Sequence, residues 1–379
     1  PAHRLESVMA EASNMLGLEG QFFSTPTSIL AAFGPQDAQQ TFLMRVEPGG
    51  TDLGKLTALD EIIGDVLSGK LTAKEGVTRV NEVLEEPAKY GRTLRVIAFG
   101  LVSGASSRFL GGGARDIAVA AMIGVIIGFL SLLANRSKSL KRIFEPIAAF
   151  IAAIIAAAFG AYFGTRSVSN DVLSGLIVLL PGLTLTVAMI EISTGHWMSG
   201  TARLSGALMN LLGIGFGVAL GGRIATVLFG PAILIRSDAL PRWTEYIALL
   251  IAPLAFTILL RAQLKDAIWI VISGALGFVG SRLSTAWLGA ELSVFVGALI
   301  VGIASNIYSR LLDRTSMVTL VPGILLLVPG SIGFRSVASM MDEKVVSGVE
   351  TAFKMVLIAV ALAAGILISR LILSARRVV

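Results

Sequence analysis

Long apolar runs fill the chain from Thr93 to Leu373 and decide what it can fold into. A helix of about 20 apolar residues crosses the hydrocarbon core of a bilayer, and several of these runs reach that length. Only 15% of the residues are charged, against about 25% in soluble domains. The sequence therefore predicts a polytopic α-helical membrane protein.

We predict about ten transmembrane helices, with the densest cluster of basic residues between the second and the third. This cluster runs from Arg136 to Arg142, and basic loops favour the cytoplasmic side of a membrane. An even number of spans then places both termini in the cytoplasm, although Arg223, Arg236 and Arg242 fall on the other side. The predicted spans are 93–110, 116–134, 145–164, 171–191, 201–229, 244–260, 266–283, 291–308, 316–335 and 346–373.

Residues 1–91 carry charged and amphipathic sequence instead. They contain no apolar core with a cleavage site, so we expect no secretory signal. Thr72 and Glu75 have the spacing of a capping box at the start of a helix. We predict a small α+β soluble domain in the cytoplasm. Its elements are a helix at His3–Leu18, short strands at Gln21–Phe23 and Thr41–Val46 around the Thr25-Pro26 turn, and helices at Leu53–Leu67 and from Thr72 to about Leu84.

The two halves of the membrane part resemble each other at constant offsets. Pro181-Gly182 recurs as Pro329-Gly330 and Ser199-Gly200 as Ser347-Gly348 after 148 residues, while Asp116 and Gly124 recur as Asp266 and Gly274 after 150. These pairings predict two five-helix units, 92–230 and 243–379. Because five is odd, the second unit enters the bilayer from the opposite side. The prediction is therefore a 5+5 inverted repeat, an arrangement typical of secondary transporters.

Each Pro-Gly pair predicts a broken helix, because proline removes a backbone donor and glycine permits an unwound turn. In secondary transporters, the substrate site lies where such breaks meet. Hydroxyl and amide groups near the breaks would bind a polar substrate, although Ser and Thr also bond their own helix carbonyls and a buried Asn also joins helices. The predicted substrate-binding residues are Pro181, Gly182, Thr184, Thr186, Asn210, Pro329, Gly330 and Ser331.

Three acidic residues near the spans are candidates for proton coupling: Glu191, Asp116 and Asp266. Charge in hydrocarbon is costly and needs a role. Glu191 follows the first break, and we expect it rather than Asp116 to carry the proton, unless it marks the interfacial end of its helix. Asp116 and Asp266 begin spans, where capping of a helix is the alternative role.

The sequence motifs give little support for an enzyme or for a bound cofactor. Gly64–Lys70 resembles a phosphate loop, but Leu71 stands where a Ser or Thr must hold magnesium. The chain has no cysteine and two histidines far apart, which disfavours a metal cluster. We attribute the net charge of +6 to loop arginines rather than to a nucleic-acid partner. We therefore expect a transporter, without catalytic residues, metal or other cofactor, that is driven by an ion gradient.

The segment from Pro181 to Arg203 carries a resemblance to a known family. Its Pro-Gly-Leu-Thr-Leu-Thr start, Glu191, Gly195 and Ser199-Gly200 are similar to the signature of the bacterial threonine/serine exporters, although an aspartate is commoner there than Glu191. The resemblance extends over nearly the whole chain. Its other parts are Arg108–Asp116, Val321–Gly323 with Val328–Ser331 in a second, smaller membrane domain, and the lead-in around Thr25–Thr27 and Leu53–Leu84.

The resemblance implies a ten-helix carrier of the bacterial inner membrane that exports threonine and serine by alternating access, using the proton motive force. Relatives with the two domains in separate chains are linked to dicarboxylate export, for which Arg203 or Arg335 would have to face the site. A membrane-anchored sensor or scaffold acting through residues 1–90 is the third alternative. The expected partners are a small-molecule substrate, protons and the lipid bilayer, and a homo-oligomer stays open.

Overall fold

The computed structural model describes residues 1–35, 37–47, 49–235 and 240–375. Helices dominate this described part, and one small sheet lies near the N-terminus. The strands are β1 (Gly20–Thr25), β2 (Ser28–Phe33) and β3 (Gln40–Arg45). The helices are α1 (Ala2–Met15), α2 (Leu53–Leu67), α3 (Ala73–Glu85), α4 (Arg92–Phe109), α5 (Ala114–Ala134), α6 (Lys138–Arg142), α7 (Phe144–Phe163), α8 (Val168–Gly175), α9 (Gly182–Ser193), α10 (Trp197–Phe229), α11 (Thr244–Leu259), α12 (Ala267–Leu312), α13 (Met317–Leu325), α14 (Gly330–Met341) and α15 (Val345–Ile372).

The three strands form an antiparallel meander in chain order. Thr25 pairs in register with Ser28, so the predicted Thr25-Pro26 turn closes the first hairpin. The sequence analysis missed β2, the central strand. Its sequence, Ser-Ile-Leu-Ala-Ala-Phe, contains helix-forming Leu and Ala, and pairing with a neighbour on each side overrides that local preference.

Side-chain caps begin both helices that follow the sheet. The Asp52 carboxylate accepts the Lys55 N–H at 3.0 Å, where α2 starts. The predicted capping box at α3 is confirmed: the Thr72 N–H donates to the Glu75 carboxylate at 2.8 Å, and the Glu75 N–H donates to the Thr72 hydroxyl at 3.3 Å. Such a motif is readable from sequence because both partners lie within one helical turn.

Six helical stretches of the described chain are long and apolar enough to cross a bilayer. They are Ala114–Ala134, Phe144–Phe163, Trp197–Phe229, Leu264–Leu312, Met317–Met341 and Val345–Ile372. The pair Val168–Gly175 and Ile177–Ser193, bent by 54°, makes a seventh if it counts as one span. The prediction of a helical membrane protein with several spans is confirmed. Helix length and composition do not give ten spans, so the count of ten stays a prediction.

Particular helices explain the lower count. α4 carries three arginines in its sequence, and α11 has 16 residues, short of the roughly 20 that a span needs. The predicted spans 266–283 and 291–308 run together as α12, which is interrupted only at Gly289, with φ 76° and ψ 171°. A positive φ suits glycine, so the chain changes direction there without a loop.

Helices of the membrane part approach each other closely at glycines. A Cβ on Gly217 of α10 would lie 2.2 Å from the Pro146 carbonyl oxygen of α7. α15 meets α12 in the same way, because a Cβ on Gly365 would lie 2.6 Å from the Phe295 carbonyl oxygen. Small residues at helix interfaces allow backbones to touch, which is how helices associate in lipid.

The N-terminal segment rests on the turn between α11 and α12. The Leu53 N–H donates to the Leu260 carbonyl at 2.8 Å, and the Tyr90 hydroxyl donates to the Ala262 carbonyl at 2.6 Å. The first bond holds Leu53, and the second holds Tyr90, against the helical bundle. The N-terminal segment therefore lies next to the space that the helical bundle encloses.

Candidate functional site

Two interrupted helices meet at their Pro-Gly pairs. Pro181 precedes α9 with φ −79° and ψ 38°, and Pro329 precedes α14 with φ −79° and ψ 16°. A Cβ on Gly182 would lie 3.0 Å from the backbone nitrogen of Gly330. The two breaks are therefore in backbone contact, and a side chain on either glycine would push them apart.

A cavity of about 720 Å³ lies beside this contact. Thr184, Asn210 and Ser331 bring hydroxyl and amide groups to its wall, together with Pro181 and Gly330. Much of the remaining wall is apolar, and includes Phe99, Phe109, Phe256, Leu180 and Leu326. A few polar groups in a mostly apolar cavity of this size is the usual composition of a small-molecule site.

Three of the predicted substrate-binding residues lie off the cavity wall. Gly182 and Pro329 form the breaks themselves. Thr186 is fully buried, and its hydroxyl donates to the Gly182 carbonyl at 3.1 Å. That bond within the helix is the alternative that the sequence left open for helical Ser and Thr.

Three charged side chains also line the cavity. They are Arg95 of α4, Glu145 of α7 and Arg261 of the α11–α12 turn, beside Gly50 and Thr51 of the N-terminal segment. The sequence analysis did not select any of them. Arg95 offered a signal, because it lies inside the predicted span 93–110, where charge is costly. Which side chains share one cavity depends on the assembled helices.

The two arginines of the cavity differ in their partners. Arg261 donates to the Asp52 carboxylate of the N-terminal segment at 2.9 Å. The Nε atom of Arg95 is buried and has no hydrogen-bond partner within the described residues. A buried donor without a partner is unfavourable, and Arg95 is also one of the residues that line the cavity.

Glu191 is completely buried and lies away from the cavity. Its carboxylate accepts the Arg203 Nε–H at 2.9 Å, the Ser199 hydroxyl at 2.8 Å and the Ala2 backbone N–H at 2.8 Å. Glu191 therefore ties the end of α9 to α10 and to α1. These three donors satisfy a charge that would otherwise be costly to bury.

Asp116 and Asp171 lie close to one hydroxyl at the starts of α5 and α8. Asp116 accepts the Gly113 N–H at 2.8 Å, so it caps α5, as the alternative reading of the sequence had it. The Thr165 hydroxyl lies 2.5 Å from an oxygen of Asp171 and 3.5 Å from the second oxygen of Asp116. All three side chains are buried. Asp171 was not predicted, although it opens the predicted span 171–191.

Asp266 is buried immediately before α12. It accepts the Tyr308 hydroxyl at 3.0 Å and pairs with Arg314 at 2.5 Å. Its second oxygen, Oδ2, has no hydrogen-bond partner in the part of the chain that the structure describes. The three predicted acids thus occupy three separate places, and none of them lines the cavity at the breaks.

The two arginines that dicarboxylate export would require lie elsewhere. Arg203 is bound to Glu191. Arg335 donates to the Asn170 side chain at 3.4 Å and lines a second cavity of about 490 Å³. Across the described ranges, no group of three or more His, Asp or Glu residues is arranged to hold a metal ion.

Curated relatives of the chain include fungal membrane proteins. Pheromone-regulated membrane protein 10 of Debaryomyces hansenii is 26% identical over 368 residues, which is 94% of this chain and 36% of that protein. The proteins of the same name from Eremothecium gossypii and Yarrowia lipolytica are 24% and 27% identical, over 89% and 88% of this chain and 46% and 28% of their own lengths. The chain spans less than half the length of these relatives. No solved structure matches it.

Two family models cover both the N-terminal segment and the membrane part. Residues 1–225 match the threonine/serine exporter model ThrE, and residues 245–372 match a second model described as threonine/serine exporter. The boundary between the matches falls between the two predicted five-helix units. The chain therefore belongs to the threonine/serine exporter family of membrane proteins, as the resemblance in its sequence indicated.

Proposed function

We propose that the protein is a secondary active exporter of threonine and serine in a bacterial inner membrane, working by alternating access. The observation that carries this proposal is the backbone contact between Gly182 and Gly330 beside a cavity with the side chains of Thr184, Asn210 and Ser331. Broken helices leave backbone donors and acceptors for the charged ends of a small substrate. The hydroxyl and amide groups then bind the substrate hydroxyl.

Backbone conformation supports an internal repeat of the kind that alternating access uses. The non-glycine residues described with a positive φ are Arg261, Asp313 and Glu343, at 55°, 51° and 63°. Each corresponds to a positive-φ glycine of the first unit, namely Gly111, Gly164 and Gly195, at offsets of 150, 149 and 148 residues. Non-glycine residues rarely adopt this conformation. Its recurrence at equivalent turns favours one backbone design used twice.

Helix packing repeats at the same offset. α9 and α14 both have 12 residues and begin 148 positions apart. A Cβ on Gly200 would lie 2.9 Å from the Ala188 carbonyl oxygen, and a Cβ on Gly348 would lie 3.0 Å from the Ser336 carbonyl oxygen. We therefore propose two units of five helices, 92–230 and 243–379, with α12 counted as two spans; residues 236–239 and 376–379 lie outside the described ranges.

The N-terminal segment, the basic loop and the end of α15 lie on the same side of the bundle. Lys138 of the loop pairs with Glu47 at 3.7 Å, and Arg370 of α15 lies 3.1 Å from the His3 ring. Because basic loops favour the cytoplasm, we propose that this side is cytoplasmic. Residues 1–91 then form a cytoplasmic domain, and both termini lie inside.

For proton coupling we propose Asp116 and Asp171. Glu191 and Asp266 each form an ion pair with an arginine that ties them to a neighbouring part of the fold. Asp116 and Asp171 instead lie close to the hydroxyl of Thr165, and two buried carboxylates at such a place repel each other when both are ionised. A proton taken up there relieves the repulsion, which suits a site that loads and releases protons.

The function can be tested by counterflow in proteoliposomes that contain the purified protein. Vesicles preloaded with unlabelled threonine should accumulate labelled threonine and serine, whereas vesicles preloaded with succinate should not. Empty vesicles prepared in the same way are the control. Accumulation of labelled succinate instead would indicate a dicarboxylate exporter, and no accumulation of any of the three would favour a sensor or scaffold.

A further inference from the structure

One arginine that lines the cavity at the breaks has a buried donor atom without a partner in the described part of the chain. The Nε atom of Arg95 is buried without a hydrogen-bond partner among the residues described. Its side chain lines the same cavity as Thr184 and Ser331. A guanidinium offers a fork of N–H donors that matches a carboxylate. An acceptor with this geometry would complete the hydrogen bonding of Arg95.

Arg261 provides a second positive charge on the same wall. Arg95 and Arg261 both line the cavity. Arg261 is already bound by the Asp52 carboxylate at 2.9 Å. Asp52 shows that a carboxylate binds to this wall, and it leaves Arg95 as the arginine still open to a ligand.

Two negative groups balance the two arginines. Asp52 is bound to Arg261, and Glu145 lines the cavity from the start of α7. The four groups together carry no net charge when all are ionised. A zwitterion, with one carboxylate and one ammonium, adds no net charge to this site. A dicarboxylate would bring two negative charges to a wall where Glu145 opposes them, at a high energetic cost in a low-dielectric cavity.

We propose that Arg95 binds the carboxylate of a zwitterionic α-amino acid, and that Glu145 selects for its ammonium group and against dicarboxylates. This inference rests on the proposed function, because it assigns the charged ends of the substrate at the same cavity. It leaves the hydroxyl of threonine or serine to Thr184, Asn210 or Ser331. Arg261 supports the carboxylate site as the second cation and remains tied to the N-terminal segment.

Equilibrium binding of labelled threonine to the purified full-length protein tests this assignment. The competitors are threonine, threoninol, which lacks the carboxylate, and 2,3-dihydroxybutanoate, which lacks the ammonium. For the wild type we expect both analogues to compete at least about 10-fold more weakly than threonine, since each loses a hydrogen bond to a charged group. Equal competition by threoninol and threonine would overturn the role of Arg95 without any variant.

Two variants then test separately how the carboxylate and the ammonium group of the substrate are recognised. Arg95→Gln should weaken threonine binding by about 10-fold or more and make the affinities for threonine and threoninol nearly equal. Glu145→Gln should instead reduce the preference for threonine over 2,3-dihydroxybutanoate and succinate. Arg136→Gln removes an exposed arginine of the basic loop, away from the cavity, and should bind like the wild type.

The outcomes distinguish this inference from the function on which it rests. A wild type that binds no threonine at all would overturn both. A wild type that binds threonine, with unchanged discrimination in Arg95→Gln, would overturn only the carboxylate assignment. Arg95→Lys keeps the charge without the fork, and its affinity for threonine should lie between those of the wild type and Arg95→Gln. Elution of this variant as a folded monodisperse species separates lost binding from lost folding.

Discussion

Buried acids in this protein divide into those that meet an arginine and those that do not. Glu191 with Arg203 and Asp266 with Arg314 belong to the first kind. Each pair joins two parts of the fold, and an ion pair with further donors tolerates burial. Asp116 and Asp171 belong to the second kind and share a hydroxyl neighbour instead.

Replacement of Asp171 by Asn is expected to uncouple transport. Without a group that loses its proton, the carrier should keep exchanging threonine for threonine but lose export against a gradient. The physical reason is that exchange need not return an empty, deprotonated site. The measurement is labelled threonine flux in proteoliposomes with and without an imposed pH gradient.

Glu191→Gln serves as the matched comparison for that experiment. It should lower the yield of folded protein, because it leaves Arg203 without its anion and loosens α1. The protein that does fold should still export threonine against a gradient. Unimpaired gradient-driven export in Asp171→Asn would remove this residue from the coupling step. Selective loss of driven export in folded Glu191→Gln would return the role to Glu191.

The sequence points to acids of this kind because charge inside apolar runs is rare. Their partners are less accessible. Arg203 lies 12 residues from Glu191, and Arg314 lies 48 residues from Asp266. No local pattern links residues at such separations, so a coupling acid and a structural acid look alike until the helices are assembled.

At the level of elements, local chemistry and packing contribute separately. The breaks before α9 and α14 and the capping box of α3 follow from residues next to each other in the chain. By contrast, β2 exists because two neighbours pair with it. The continuity of α12 through Gly289 was also missed, since a glycine predicts a turn and only the surrounding helices decide how far the chain bends.

Packing of α10 on α7 gives a stability prediction. Gly217→Ala should destabilise the protein by about 1–3 kcal/mol, because its Cβ would overlap the Pro146 carbonyl oxygen. Gly222→Ala, on the same helix, meets nothing within 4 Å and should be neutral or stabilise by up to about 1 kcal/mol. The measurement is the thermal midpoint of monodisperse protein in detergent. Equal midpoints for the two variants would contradict the close approach of these helices.

At the scale of the whole molecule, the N-terminal segment contacts the cavity and the helices around it. Gly50 and Thr51 line the cavity, Asp52 binds Arg261, and Glu6 lies 3.2 Å from the His196 ring after α9. A separate sensor domain would have no need of these contacts. These contacts join residues 1–91 to the cavity and to the end of α9.

Orientation in the membrane can be tested with single cysteines, because the chain has none of its own. Ser137→Cys in the basic loop should resist an impermeant thiol reagent in intact cells and react after lysis. Arg242→Cys, exposed before α11, should react in intact cells. The reverse pattern would place the N-terminal segment outside the cell and would overturn export in the proposed direction.

By itself, the sequence determined the helical membrane class, the family, the two Pro-Gly breaks and most helix positions, since these depend on apolar periodicity and on residues adjacent in the chain. Only the tertiary structure decided that the breaks touch, that Thr186 bonds its own helix, and that Arg95, Glu145 and Arg261 share one cavity with residues of the N-terminal segment. The physical reason is that a cavity is the space left between packed helices. Its lining depends on helix rotation and approach, which the glycine contacts and long-range ion pairs set.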